Sequence, residues 1–327
     1  MKDSNDSQVR PSASALSPSK SGDSLQSIRA ATKEFCRRLK GSAGQKTVLT
    51  GFGELDAATG GLLPGSLVVV GARPGMGKTA FALNIALHAA LREEKTVAIF
   101  SLEMSEEELV QRLIASGAET DVKCLGAASL TETERARVNA FAEELCNTDN
   151  ILIDDTAVQS VGSIQAQCRR AAARSQKPDL IVIDYLQLLH PEYGQAESRD
   201  AELVGIVRGF KLLARETDCP VMVLSQVSRK PEDRPDKRPR LSDLRGCGSI
   251  EQEADMVLML HRPSYYDGSA SGDAGQDPAE EAKVIIAKHR NGGTREVTLD
   301  FMRKYAAFRD PAAVGNAPER DAAICQI

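Results

Sequence analysis

The sequence predicts an α/β fold: a mostly parallel sheet flanked by helices, with antiparallel strands added along one edge. Three observations lead there. Short apolar runs rich in Val and Ile open strands at 67–70, 96–100, 151–155, 180–189 and 220–226, of which the first and fourth read as buried. Between them lie segments with apolar residues at helical spacing, and strands alternating with helices imply crossovers and parallel pairing. A run of three strands closes the pattern at 255–261, 283–288 and 295–301. In the last, Val297, Leu299 and Phe301 alternate with Glu296, Thr298 and Asp300.

Residues 1–22, rich in Ser with Pro, Asp and Lys, have almost nothing to bury and read as a disordered tail. Residues 23–41 place Leu25, Ile28, Thr32, Phe35 and Leu39 on one stripe of an amphipathic helix, capped by Asp23 or Ser24 and ended by Gly41. Two homes are open to that stripe: the domain that follows, or a neighbouring subunit. The main domain is expected over 47–310 and a flexible tail over 311–327. It begins with turn-rich sequence at 50–65, then the first strand. The helix from Thr79 to Leu91 is apolar around most of its circumference, so it should be largely buried. Ser105 with Glu108, and Ser129 with Glu132, give capping-box signatures; the second opens a helix at 130–146. Further helices are expected at 161–175 and along Leu203, Ile206, Val207, Phe210, Leu213 and Ala214. Residues 228–249 read as a polar, charged loop, and 267–280 as a Gly/Ser/Asp-rich surface loop.

Between the first strand and its helix lies Ala72-Arg73-Pro74-Gly75-Met76-Gly77-Lys78-Thr79, a Walker A pattern with Ala72 in place of the first glycine. A triphosphate needs several donors converging on its oxygens, and a tight loop at a helix N-terminus supplies backbone N–H groups and a favourable dipole. Lys78 reaches the β- and γ-phosphates, and the Thr79 hydroxyl is a ligand for Mg²⁺. Asp184, after Leu-Ile-Val-Ile, fits the Walker B role on the same ion. Asp154 and Asp155, after Ile-Leu-Ile, are its rivals; Asp184 is preferred for its longer, more completely apolar strand. Glu103, at a strand end beside the phosphate loop, is placed to polarise the attacking water, and Gln226 to sense the γ-phosphate. Lys288 and Arg290 form a basic cluster at another strand end, open to reading as an exposed charge run, and His289 reads as structural. In the 228–249 loop, Arg229, Lys230, Arg234, Lys237, Arg238, Arg240 and Arg245 face only four acids. Such a loop suits an NTP-gated grip on phosphate backbone, and equally a solvated, charge-mixed surface.

Composition narrows the class. The chain has 327 residues with a net charge of −5, so any nucleic-acid contact comes from a local patch and not from the whole molecule. No apolar run approaches the ~20 residues of a membrane span, and the N-terminus lacks the apolar core of a signal peptide. The seven cysteines are scattered, odd in number and without a C-x-x-C pair, which argues against zinc and disulfides and for a reducing cytoplasm. Aromatic residues make up 4%, too few for a base-stacking platform to be expected.

Over residues 47–310 the chain resembles the C-terminal motor domain of the DnaB-type replicative helicases, a RecA-like family. The resemblance rests on 72–79 together with Phe100-Ser-Leu-Glu-Met104, Ile183-Asp-Tyr-Leu-Gln-Leu188, Leu224-Ser-Gln226, Asp243-Leu-Arg245, Gly248-Ser-Ile-Glu-Gln252 and Lys288-His-Arg-Asn-Gly292. It implies an ATP- and Mg²⁺-dependent, ring-shaped homohexamer moving 5′ to 3′ along single-stranded DNA in replication. It makes Glu103 the catalytic base, sets Lys288 and Arg290 on the neighbour's γ-phosphate, and puts Arg245, Gly246 and Gly248 in the loop that grips DNA. The helix at 23–41 resembles the linker that closes the ring on the adjacent subunit. Two departures accompany it. The family's N-terminal, primase-contacting domain is expected to be absent, and Gly246-Cys247 stands where the family usually has Glu-Ser. These leave two other readings: a RecA/KaiC-like ATPase without unwinding, or an accessory subunit that co-assembles with a full-length helicase or its loader.

Overall fold

The computed structural model describes residues 27–29, 32, 33, 36, 47–127, 129–190, 199–244, 246–267 and 279–311. They belong to two units, Met1–Gln45 and Lys46–Ile327. In the first, residues 28, 29, 32, 33 and 36 are helical, and Ile28 is exposed. Leu25, Phe35 and Leu39 of the expected stripe lie outside the described residues, as do the 1–22 and 312–327 tails.

The second unit is built on a nine-stranded sheet in the order β3-β2-β4-β5-β1-β6-β7-β8-β9. Six strands run parallel: β1 (Leu67–Ala72), β2 (Val97–Ser101), β3 (Ile151–Asp154), β4 (Leu180–Asp184), β5 (Val221–Gln226) and β6 (Met256–His261). The antiparallel edge is β7 (Glu280–His289), β8 (Arg295–Met302) and β9 (Ala307–Arg309). β6 therefore belongs to the parallel body, against β1, and only the strands after it form the antiparallel edge.

Period-2 alternation divides the core between the two faces of the sheet. On β1, Val68 and Val70 join α2 (Lys78–Arg92) and α3 (Glu106–Gly117) on one face. Leu67 and Val69 face α6 (Val161–Ala173), α7 (Arg199–Thr217) and α8 (Cys247–Glu253) on the other. α2 buries Phe81, Ile85 and Ala89 among other residues, as its all-round apolar sequence predicts. Phe81 stacks on Phe52 just before α1 (Gly53–Thr59), and meets Phe308 of β9 edge-on.

Four differences from the sequence reading have local causes. Helix α5 (Glu132–Cys146) is capped by Thr131 with Glu134, and not by Ser129 with Glu132. Ser129 is held back by its N–H bond to the Cys124 carbonyl at the end of a short helix, α4 (Val122–Gly126). α1 sits inside the turn-rich 50–65 segment. β9 is too short to show a period. The 228–249 loop is ordered by two 3₁₀ turns, Lys230–Asp233 and Leu241–Asp243, and its last residues already belong to α8.

Candidate nucleotide site

β1 delivers the chain to the phosphate loop at the carboxyl ends of the parallel strands, where open α/β sheets place their ligands. Gly75 and Gly77 have φ of 79° and 92°, left-handed values that favour glycine. Gly77 is the N-cap of α2, so the first turn of that helix faces the cavity the loop encloses. That cavity has a volume of about 510 Å³.

Its polar groups converge. The Thr79 hydroxyl donates to Asp184 Oδ2 at 2.6 Å, and Lys78 Nζ lies 3.7 Å from Asp184 Oδ1 and 4.4 Å from the centre of the Tyr185 ring. Burial lowers the Lys78 ammonium from its ordinary 10.5, against the opposing pull of Asp184 and Glu103. Glu103 is exposed on the cavity wall just past β2. Gln226 lines it too; its backbone N–H donates to Gln187 Oε1, whose amide in turn donates to Ser225. Asp154 and Asp155 are spent locally, accepting from the N–H of Thr156 and of Glu106, and three strands, β2, β4 and β5, lie between β3 and the loop-bearing β1. Asp184 Oδ1 is buried with no hydrogen-bond partner, and an orphaned carboxylate oxygen beside a threonine hydroxyl is a donor set that suits Mg²⁺.

Other residues of the site gave no sequence signal. Arg262, 3% exposed at the end of β6, donates to the Gly75 carbonyl at 2.9 Å and pairs with Glu280 at 2.5 Å. Its guanidinium lies 4.0 Å from the Phe301 ring centre. Burial alone would raise the Glu280 carboxyl, but Arg262 and Arg303 hold it below its ordinary 4.5. The pair braces the phosphate loop from behind. Arg73 lines the cavity as well and bonds Glu232 at 2.8 Å and the Val227 carbonyl at 3.0 Å.

The basic loop is less available than its composition suggests. Arg234 makes two 2.7 Å bonds to buried Asp243, Arg238 pairs with Glu296, Arg240 with Asp236, and Lys237 lies over the Tyr266 ring. Arg245 lies outside the described residues. Gly246 has φ 71° and caps α8, a conformation glycine adopts without strain, which explains a glycine there. Gly248 is exposed in the first turn of α8.

Lys288 and Arg290 do not reach this cavity. Val257 pairs with Lys288 and Met256 with His289, so both basic residues sit at the amino end of β6, opposite the phosphate loop. At ~3.3 Å per residue, β1 separates that end from Ala72 by about 16 Å.

The phosphate loop after β1, the acid-ended strand β4 one strand removed from it across β5, and the parallel sheet define a P-loop NTPase of the RecA-like kind. Over residues 47–310 the chain matches the DnaB-like helicase C-terminal domain, and it belongs to that family. It is 42% identical to the replicative DNA helicase DnaC of Bacillus subtilis and 43% identical to the replicative DNA helicase DnaB of Geobacillus stearothermophilus, over 79% of this chain in each case. It spans about half the length, 55%, of those relatives. Among solved structures, an ATPase domain superposes with a TM-score of 0.77 at 37% identity, covering 87% of this chain and 99% of that one. A DnaB-like replicative helicase, described with its interactions with primase, gives 0.76 at 36% identity, covering 87% of this chain and 68% of that one.

Proposed function

We propose that the chain is the motor of an ATP-dependent DNA helicase, hydrolysing ATP between subunits of a homo-oligomeric ring, hexameric by family resemblance, and translocating 5′ to 3′ on single-stranded DNA in replication. The observation that carries this reading is the division of the site: a complete phosphate loop at one end of the sheet and Lys288 with Arg290 at the other. A neighbour's pair would complete each cavity.

In this reading the loop N–H groups and Lys78 hold the β- and γ-phosphates, and Thr79 and Asp184 hold Mg²⁺, which neutralises charge on the phosphate oxygens. Glu103 orients and deprotonates the attacking water. Gln226 touches the γ-phosphate, and its strand feeds directly into the 228–244 loop, linking phosphate state to DNA grip by Arg245, Gly246 and Gly248. A full-length helicase or a loader is the partner class, and a reducing cytoplasm the compartment. Among the described residues no helix is long and apolar enough to cross a membrane, and Cys36, Cys124, Cys146, Cys168 and Cys219 are free.

The test mixes Lys78→Ala subunits with Arg290→Ala subunits. Each alone should lose hydrolysis, an arginine supplied in trans being worth ~10³–10⁵ in rate. The mixture should recover part of it and unwind a forked DNA. Mixtures no more active than either variant would refute the shared site.

A further inference from the structure

At the end of the sheet opposite the phosphate loop, one carboxylate gathers three elements. Asp255, the residue before β6, accepts the Leu67 N–H of β1 on Oδ2 at 2.7 Å, and the Lys211 ammonium of α7 on the same oxygen at 2.5 Å. Its Oδ1 takes Arg290 Nη1 at 3.2 Å, and its carbonyl takes the Arg290 N–H at 2.8 Å. Lys211, 7% exposed, is further fixed by the Gly65 carbonyl at 2.9 Å. Arg290 itself is less than half exposed and keeps one more bond, to the Gln252 carbonyl at 2.5 Å. A lone surface arginine would sample many rotamers; this one is held at its backbone and its head by a single residue that is itself locked from behind.

We infer that Asp255, locked by Lys211, is the positioning residue that aims Arg290 across the subunit boundary. The inference rests on the proposed trans role of Arg290. It goes further in assigning the aim to the Lys211–Asp255 pair. Asp255 also bonds the first residue of β1, whose last residue opens the phosphate loop, so the pair joins a subunit's outgoing arginine to the strand that carries its own nucleotide. Misplacing a group by about 1 Å can cost ~10²-fold in rate, so the aim matters as much as the charge.

Asp255→Asn keeps an oxygen for the Leu67 N–H but removes the charge that holds Arg290 and Lys211. Its hydrolysis should fall about 10²-fold with affinity for a fluorescent ADP analogue unchanged. The decisive readout is complementation with Lys78→Ala, because the Asp255→Asn subunit has a sound phosphate loop and lacks only an aimed arginine. Recovery of hydrolysis in that mixture supports the inference, since damage to the subunit's own fold or site could not be rescued by a neighbour. The double variant Lys211→Met with Asp255→Asn removes both charges together and serves if the single variant does not fold. If Arg290→Ala is inactive while Asp255→Asn hydrolyses at the wild-type rate, the inference is overturned and the trans reading stands. If Asp255→Asn is inactive and not rescued while Arg290→Ala is, Asp255 serves its own site through β1, and the inference is again overturned. Should Arg290→Ala keep full hydrolysis, the trans reading itself fails.

Discussion

The Arg262–Glu280 pair behind the phosphate loop allows stability and nucleotide affinity to be moved separately. Glu280→Ala leaves a guanidinium that is 3% exposed without its carboxylate and removes the acceptor of Ser264 and Arg303. Breaking one side of a buried pair costs ~3–5 kcal/mol. For a domain of this size, each kcal/mol moves Tm by ~2–4 °C, so the drop should be roughly 6–20 °C. The double variant Arg262→Met with Glu280→Leu removes both charges and fills the space with apolar side chains, which is often neutral or stabilising. Its Tm should return to within about 3 °C of wild type, or exceed it, at ~1 kcal/mol of difference. Affinity should move the other way. The Gly75 carbonyl keeps its Arg262 donor in Glu280→Ala and loses it in the double variant, where a charge-assisted bond worth ~1.5 kcal/mol makes for about a tenfold weaker ADP complex. Thermal unfolding without ligand and ADP titration by fluorescence measure the two effects. A Glu280→Ala protein that melts within 2 °C of wild type, at ~1 kcal/mol or less, would show that the pair is not an obligatory brace. A double variant with wild-type affinity would show that the Gly75 contact does not shape the loop.

Three further outcomes are expected. Bound phosphate adds negative charge beside Lys78 and raises the pKa that burial has lowered. Nucleotide affinity should therefore fall as pH climbs toward 10.5, beginning below that value, while Lys78→Arg, charged to beyond pH 12, stays flat over the same range; parallel curves would exclude Lys78 as the titrating group. Gly75→Ala meets a left-handed φ and places a Cβ 2.7 Å from the Tyr265 hydroxyl, so it should weaken ADP binding by at least tenfold, at ~1–2 kcal/mol for the conformation alone; unchanged binding would mean that the loop rearranges freely. Arg234→Ala strips Asp243 of its guanidinium and should speed amide exchange across 229–244 with ADP affinity unchanged; slow exchange in the variant would show that the 3₁₀ turns alone hold the loop.

The parallel body was legible because a strand buried on both faces must be continuously apolar, and Leu67–Val70 or Leu180–Ile183 have no other use for such runs. The phosphate-loop pattern was equally legible at Gly75, Gly77, Lys78 and Thr79, where left-handed turns and charge leave few residue types. Asp184 was preferred for the length of its strand, and it lies beside Thr79. Arg262 was not legible: an arginine after an apolar strand reads as a solvated terminus, and its partner Glu280 comes 18 residues later. The same holds for Lys211 and Asp255, far apart in sequence and joined only where α7 packs on the sheet. In the 228–249 loop, counting charges overstated the free cations, because Asp243, Glu296 and Asp236 claim three of them.

The tether from Arg73 to Val227 and Glu232 has a bearing on how such motors diversify. The segment that begins at Ser228 is closed on itself: Val227 bridges Leu244, and Leu244 lies against Gly71, where a Cβ would come within 2.7 Å of it. Both ends are thus anchored to the strand and loop that line the cavity, while the middle, Pro235 to Arg240, meets the rest of the domain through Lys237 over Tyr266, Arg238 at Glu296 of β8 and the buried Pro239. The exposed side chains of that middle stretch, Pro235, Asp236 and Arg240, have room to drift or change sign without touching the cavity, whereas the two ends do not. A lineage of these proteins would therefore inherit the engine unchanged and vary what it runs on, one short cassette at a time.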